Sequence, residues 1–408
     1  MRMDSKVNGR CSAAIRGGAS GPAARFGRAL LLCAAAIVLL QPGVSAADAR
    51  SQAKRIHDRL AGVPPTPAVL DAMAADVAAG RSLDAAYKAM DHRAFYDVTL
   101  KNFAMPWTNR DQTVFAPLND YVATVIGMVR DDVPFNQVLS DDILYVGSGA
   151  SGVPAFSASS NAHYEALESS GANLKTALVR TTQSSVTGLP PGATAGVMTT
   201  RAAAQAFLVA GTNRAMFRFT LMNHLCVDLE QVQDPTRPAD RIRQDVSRSP
   251  GGDSRVFLNN CIACHAGMDP LAQAYAYYDY DEDAGRIVYS AGQVRPKYFN
   301  NDDTFRPGFI TPDDSWDNYW RQGRNALLGW DASLPARGQG AKSMGRELAG
   351  TEQFARCQVE KVFRNVCFRA PSDAEDRARV DAITASFKSN GYRLKRVFAE
   401  AATYCVGE

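Results

Sequence analysis

The 408-residue chain lacks several patterns that mark common enzymes and binding proteins. It has no second Cys-x-x-Cys pair, no Gly-rich phosphate loop, no His-Glu-x-x-His motif and no Ser-His-Asp order. These absences argue against a structural zinc site, a P-loop nucleotide site, a zinc peptidase and a serine hydrolase. The chain also has no apolar run of the roughly 20 residues that a membrane-spanning helix needs.

The N-terminal residues 1–46 predict a secretory signal. Six Lys and Arg side chains precede an apolar run from Ala29 to Leu40, and Val44-Ser45-Ala46 offers a small-x-small cleavage site. Without this segment, 39 basic side chains stand against 41 acidic ones, a net charge of −2. We therefore expect a periplasmic or secreted protein, with no nucleic-acid partner and no membrane span after cleavage.

The most specific pattern is Cys261-Ile262-Ala263-Cys264-His265, the attachment signature of a c-type haem. Two thiols one helical turn apart can each form a thioether with a vinyl group of the porphyrin, and the histidine can then bind the iron. The alternatives are a zinc site, a thioredoxin-like dithiol and a chance match in a loop. We predict one covalent haem c held by Cys261, Cys264 and His265.

The sixth iron ligand decides what such a haem does. A methionine raises the reduction potential and closes the iron for electron transfer, whereas an open site admits peroxide or other small ligands. Met344 lies within the Gly-rich stretch 338–345, which predicts a loop before a helix, and small c-type cytochromes usually supply their methionine from such a loop. We therefore predict His265 and Met344 as iron ligands, with Met268 packing against the porphyrin and His224 serving as a core or surface histidine.

Four further cysteines follow the signal segment: Cys226, Cys357, Cys367 and Cys405. An even number in an oxidising compartment predicts two disulfides, for which four cysteines allow three pairings. If Cys357 and Cys367 share one helix, they lie about 15 Å apart. That separation excludes a bond between them and leaves two pairings open.

The apolar periodicity predicts a mainly α protein, which we divide into four parts after the signal segment. Residues 47–147 predict a helical N-terminal region, and residues 148–196, rich in Gly, Ser and Thr, predict a long connection. Residues 197–350 predict a cytochrome c-like haem region, and residues 351–408 a C-terminal helical cap.

Several local elements can be predicted within these parts. Short strands are expected at 143–146 and near 177–179. Aromatic residues at helical spacing favour a helix from Ser315 to Leu328, and a longer helix is expected from about Val114 to Arg130. The cap is expected to contain three helices, at about 351–368, 373–389 and 393–404.

Polar residues near the motif suggest three smaller hypotheses. Asp279, Asp281 and Asp283 alternate as in a calcium loop, but Ala284 occupies the position that needs glycine, so a polar turn is the better interpretation. The ring N–H of His265 needs an acceptor, for which similarity to other c-type cytochromes suggests the carbonyl of Pro270. Haem carboxylates need cationic partners, and the candidates are Arg286, Arg295, Lys297, Arg321 and Arg324.

The extended motif resembles one known family. Cys261-x-x-Cys264-His265-x-x-Met268-Asp269-Pro270-Leu271, followed by Tyr278-Asp279, is similar to the cytochrome c-like module of large planctomycete- and myxobacterial-type cytochrome c proteins. Shorter similarities lie at 194–199, 225–226 and 354–357. Ala272 stands where the family has glycine, and the proline-rich stretch usual after Cys226 is reduced to Pro235 and Pro238.

The resemblance implies a cytochrome c-like fold and a disulfide between Cys226 and Cys357, which leaves Cys367 to pair with Cys405. We expect electron transfer in the periplasm, to or from a redox partner protein. The alternative is a haem enzyme of peroxidase or oxidase type with an open distal iron site. A third hypothesis is a partner-binding protein whose haem stabilises the fold. The sequence does not decide between an enzyme and an electron carrier.

Overall fold

A computed structural model describes residues 46–149, 152–208, 211–299 and 308–407 of the chain. The predicted secretory signal therefore lies outside the described residues, except for Ala46. From Ala46 onward the chain forms one compact unit, in which helices dominate and the strands are short and few. This confirms the prediction of a mainly α protein.

The N-terminal region is helical, as predicted. Thr66 begins its second helix, where its side chain accepts the N–H of Val69 and Pro67 occupies the first turn. The helix expected from Val114 begins only at Asp120, because the side chain of Asn119 accepts the N–H of Val122 and caps it there. The helices are α1 (Ala46–Ala61), α2 (Pro67–Ala78), α3 (Ser82–Met90), α4 (Lys101–Ala104) and α5 (Asp120–Arg130), with a π-helical turn at Phe95–Leu100.

The two predicted short strands pair with each other. Strand β1 (Leu144–Gly147) runs antiparallel to β2 (Leu178–Thr181), with Tyr145 opposite Arg180. The stretch predicted as a long connection also contains helices. His163 in this stretch is buried, and its Nε2 accepts the N–H of Gly147. These helices are α6 (Ala162–Ser169), α7 (Leu174–Ala177) and α8 (Gln183–Thr187).

The central region combines helices with two small hairpins. In the first hairpin, Asp281 accepts the N–H of Ala284 and Gly285 has a φ of +65°, which confirms the polar-turn interpretation. The helices are α9 (Arg201–Phe207), α10 (Arg214–His224), α11 (Ser254–Val256), α12 (Ile262–Ala272) and α13 (Gly340–Ala349). The hairpins are β3 (Tyr278–Asp281) with β4 (Arg286–Tyr289), and β5 (Ser315–Asp317) with β6 (Arg337–Gln339).

The helix predicted from Ser315 to Leu328 is wrong. Trp316 lies in strand β5 opposite Gly338, and the absence of a side chain on Gly338 makes room for its ring. Asn318 then accepts the N–H of Trp320 and starts a 3₁₀ turn, and a second 3₁₀ segment covers Gly323–Leu328. The helical spacing of the aromatic residues therefore covers a short strand and one 3₁₀ turn rather than one long helix.

The C-terminal cap contains three helices: α14 (Glu352–Cys367), α15 (Ala374–Ser389) and α16 (Leu394–Tyr404), close to the predicted bounds. Helix α16 packs against α1 and α3, so the cap closes onto the N-terminal helices. Two disulfides secure it, Cys226–Cys357 and Cys367–Cys405, with Cα atoms 5.4 and 5.6 Å apart. This is the pairing that the family resemblance implied. Within the described residues, no helix is both long and apolar enough to cross a membrane.

Candidate functional site

The Cys261–His265 motif lies on one continuous run of helical backbone. Asp253 caps the run by accepting the N–H of Arg255 at 2.9 Å. Helix α11 passes into a π-helical turn, Phe257–Cys261, and then into α12, which contains Pro270. The motif is thus part of a helical run that begins before it and continues beyond it.

The two motif cysteines differ from the other described cysteines. Cys261 and Cys264 are free and partly exposed, whereas the remaining four are bonded in pairs. Cys264 Sγ lies 3.8 Å from the carbonyl oxygen of Leu229, and burial raises the pKa of its thiol. A protonated thiol is a weaker nucleophile than a thiolate.

His265 is held by the residue one helical turn further along. Its Nδ1 lies 3.1 Å from Oδ1 of Asp269, whose side chain is fully buried, while the side chain of His265 is 21% exposed. An ionised carboxylate only accepts hydrogen bonds, so Nδ1 of His265 is the donor, and in the neutral imidazole the lone pair is then on Nε2. This is the tautomer that a histidine needs to bind a metal through Nε2.

The ionisation of Asp269 is secured by arginines. Burial by itself opposes the charge on Asp269, but Arg214, with His265 and Arg243, lowers the pKa of this carboxyl well below its usual range. Arg214 donates Nε to Oδ1 at 2.7 Å and Nη2 to Oδ2 at 2.8 Å. The backbone N–H of Arg243 reaches Oδ2 at 3.3 Å, and Arg214 also pairs with Asp245.

This arrangement corrects one expectation. The partner of His265 Nδ1 is the carboxylate of Asp269, not the carbonyl of Pro270, because residues four apart face the same side of a helix. The four-residue spacing of His265 and Asp269 could have indicated the contact if this segment had been predicted to be helical. Arg214 had no such signal, since 55 residues separate it from Asp269.

Glycine 267 lets a tryptophan pack directly on the motif helix. A Cβ at Gly267 would lie 1.8 Å from Nε1 of Trp320, so no other residue fits without a shift. Trp320 is fully buried, and its ring stacks at a tilt on Phe217 with 5.7 Å between centroids. This close contact places the turn that contains Trp320 against the face of α12 that carries Gly267.

Met344, the predicted sixth ligand, lies in helix α13 rather than in a loop. It is fully buried in the main apolar core, which also includes Met268 and Trp320. Helix α13 packs against the turn Gln273–Tyr275, which continues α12. Cys261, by contrast, packs against a smaller cluster formed by Ile242, Val246, Phe257 and Ala266. The iron-ligand role of Met344 stays a prediction.

His224 behaves as a core histidine. It is buried, its Nε2 lies 2.7 Å from the hydroxyl oxygen of Tyr121, and burial lowers its pKa well below the usual value. Among the cations suggested as partners of haem carboxylates, Arg295 and Lys297 pair with Asp279, and Arg321 pairs with Glu347. Arg286 and Arg324 are exposed.

The donor set fits a haem c. The described residues contain no group of three or more His, Cys, Asp or Glu side chains that could hold a metal ion. A haem c requires fewer protein donors, since the porphyrin supplies four nitrogens and the protein supplies two thiols and one imidazole. Cys261, Cys264 and His265 offer two unpaired thiols and an imidazole whose Nε2 is free to bind iron.

Comparisons of the chain with protein-family models, with curated proteins and with solved structures found no match. The resemblance to a cytochrome c family therefore depends on the motif residues quoted above and stays a prediction.

Proposed function

We propose that the protein is an exported c-type cytochrome with one covalent haem, and that it passes electrons to or from a redox partner protein in the periplasm. The thiols of Cys261 and Cys264 would carry the haem, and His265 would bind the iron. The observation that carries this proposal is the state of the six described cysteines: four are paired, and the two that are free belong to the motif that ends in His265, whose ring is held by Asp269.

The free thiols need an explanation in an oxidising compartment. There, accessible thiols that have no partner tend to become oxidised. Thioether formation would remove both thiols permanently, because each sulfur adds to a vinyl group of the porphyrin. Their partial exposure leaves them accessible to a porphyrin edge.

The bound haem would supply a one-electron couple at the iron. The protein's part is to hold His265 as the Nδ1–H tautomer and to fix its ring plane through Asp269. Met344 is proposed as the second axial ligand. It is fully buried on helix α13, which packs against the continuation of the motif helix.

One observation favours the second candidate, a haem enzyme of peroxidase or oxidase type. A carboxylate partner makes a histidine ligand more basic, and a more basic ligand favours the oxidised states of iron that such enzymes use. The burial of Met344 in the main core is also compatible with an iron whose distal side is open.

The first test is covalent haem attachment. The full chain is produced in a host with a haem c maturation system, and bound haem is measured by the pyridine haemochrome spectrum and by haem staining on a denaturing gel. We expect one haem per chain, and none after joint Cys261→Ser and Cys264→Ser substitution. Joint Cys367→Ser and Cys405→Ser substitution is the matched control and should retain the haem. A wild-type protein without covalent haem would contradict the proposal.

The second test separates the two candidates. If Met344 binds the iron, Met344→Ala abolishes the long-wavelength charge-transfer band of ferric iron–methionine bonding. Met73→Ala, which removes an equally buried methionine in helix α2, should leave the spectrum unchanged. A ferric spectrum that is high-spin, insensitive to Met344→Ala and altered by peroxide would favour the haem enzyme.

A further inference from the structure

We infer that Asp269 is a positioning residue that sets the reduction potential of the iron: its carboxylate accepts the Nδ1–H of His265 and thereby makes this histidine a more basic ligand. The inference rests on the proposed function, because it concerns the iron that His265 would bind. It goes further by assigning a role to a charged group outside the attachment motif.

The contact is built into the helix. His265 and Asp269 are one turn apart on α12, and the 3.1 Å separation of Nδ1 and Oδ1 is within hydrogen-bond reach. The side chain of Asp269 is 0% exposed, so water does not screen its charge from the imidazole. A charged acceptor in a site that excludes water acts more strongly than a carbonyl would.

The carboxylate is also prevented from turning away. Arg214 binds both of its oxygens, and Oδ1 is shared between Nε of Arg214 and Nδ1 of His265. Arg243 adds its backbone N–H at 3.3 Å to Oδ2, and its guanidinium donates to the backbone carbonyl of Asp269 at 3.3 Å. The chain thus fixes both the direction and the charge of the group that faces His265.

The electrostatic consequence has a definite sign. Ferric iron carries one more positive charge than ferrous iron, so a ligand with more negative character stabilises the ferric form and lowers the potential. The positive charge of Arg214 offsets part of the negative charge of Asp269. Asp245 also accepts a hydrogen bond from Arg214 and offsets part of that positive charge. Neutralising Asp269 should therefore raise the potential strongly, and neutralising Asp245 should raise it less.

The experiment measures the potential of the haem-bearing protein by spectroelectrochemical titration. For Asp269→Asn we expect at least a tenfold higher ferrous-to-ferric ratio at a fixed solution potential, which is an upward shift of about 59 mV for one electron. Asp245→Asn should shift the potential in the same direction by less. Asp376→Asn is the matched control, because Asp376 is another fully buried carboxylate paired with an arginine, Arg369, but it lies in the cap.

A second signal comes from the imidazole itself. In the reduced protein, the Nδ1 proton of His265 should resonate further downfield than in Asp269→Asn, and Asp376→Asn should leave it in place. If Asp269→Asn does not fold, Asp245→Asn can be measured in its place, because Asp245 is less buried than Asp269 and its substitution should disturb the fold less.

The outcomes separate the inference from the proposed function. Graded upward shifts in the order Asp269→Asn, Asp245→Asn and Asp376→Asn, with the last near zero, support the inference. A haem that is retained while neither Asp269→Asn nor Asp245→Asn moves the potential overturns the inference and leaves the cytochrome proposal standing. A chain without covalent haem overturns both.

Discussion

The C-terminal cap and the motif segment use the same kinds of residues in different ways. In the cap, Cys367 bonds Cys405, and buried Asp376 is satisfied by Arg369, Ser372 and the hydroxyl of Tyr404. In the motif segment both cysteines are free, and the buried aspartate, Asp269, gives part of its bonding capacity to a histidine.

The difference indicates where the chain is built for stability and where it is built for chemistry. In the cap, the thiols are bonded in disulfides, and the buried carboxylate of Asp376 is paired with Arg369. The motif segment leaves two thiols and one imidazole nitrogen available, and holds its helix by Arg214 and by the close packing of Trp320 on Gly267. Groups left available in a well-ordered setting are the expected mark of a functional site.

The largest expected effect is loss of the disulfides, because each restricts the unfolded chain. In the chain-entropy treatment, the Cys226–Cys357 bond, which spans 131 residues, contributes about 5 kcal/mol, and the Cys367–Cys405 bond, which spans 38, contributes about 4 kcal/mol. We expect paired Cys→Ala variants to lose stability in this order in urea unfolding. A larger loss from the cap disulfide would show that its effect comes from native packing instead.

The next effect compares the two buried carboxylates. Asp269→Asn removes a buried anion that Arg214 binds through both oxygens and leaves Arg214 paired with Asp245 alone, so we expect a loss of about 3–4 kcal/mol. Asp376→Asn should cost about 2 kcal/mol, because the side chain of Arg369 is 30% exposed and can be solvated. Urea unfolding of both variants at neutral pH checks the order, and equal losses would remove the distinction.

Acid unfolding tests the cap carboxylate separately. Arg369, with Ser372 and Tyr404, lowers the pKa of Asp376 below its usual 3.8 against the opposing effect of burial. A group with a lowered folded-state pKa stabilises the protein fully above its unfolded-state pKa, and this stabilisation is lost as the pH falls through the folded-state value. Below about pH 4, wild-type stability should therefore fall more steeply than that of Asp376→Asn. Parallel curves would contradict this assignment.

A smaller effect is expected at the helix that carries the motif. Gly267→Ala places a Cβ on the indole of Trp320, and the required shift should cost about 1–3 kcal/mol. Gly192→Ala is the control, since nothing lies within 4 Å of its Cβ position and its φ is not positive; it should cost nothing measurable. A neutral Gly267→Ala variant would show that Trp320 can move freely.

The smallest effect concerns the N-caps of the two regions. Thr351 is buried and accepts the N–H of Phe354 at 3.0 Å at the start of the 16-residue α14, so Thr351→Ala should cost about 1–2 kcal/mol. Asp253 caps the helical run that carries the motif, and Asp253→Ala should cost less than Thr351→Ala, because this cap is partly exposed and Thr351 is buried. Thermal unfolding of both variants measures the difference, and a larger effect at Asp253 would reverse the comparison.

The cap and the segment from Ser315 show which elements can be predicted from the sequence and which cannot. The cap helices were predicted almost to the residue because long apolar stripes and capping side chains are local signals. The segment from Ser315 was predicted as a helix because its aromatic residues recur every three or four positions. Its actual structure depends on β6, about 20 residues away, and on Gly338 making room for Trp316.

What the sequence by itself determined was the spacing of Cys261, Cys264 and His265 and the mainly helical fold, because each depends on neighbours within one or two helical turns. The tertiary structure decided between the two pairings left for the four other cysteines. It also buried Met344 in the core and brought Arg214 onto Asp269 from 55 residues away. Those outcomes depend on how distant helices pack, and packing joins residues whose separation along the chain carries no local pattern.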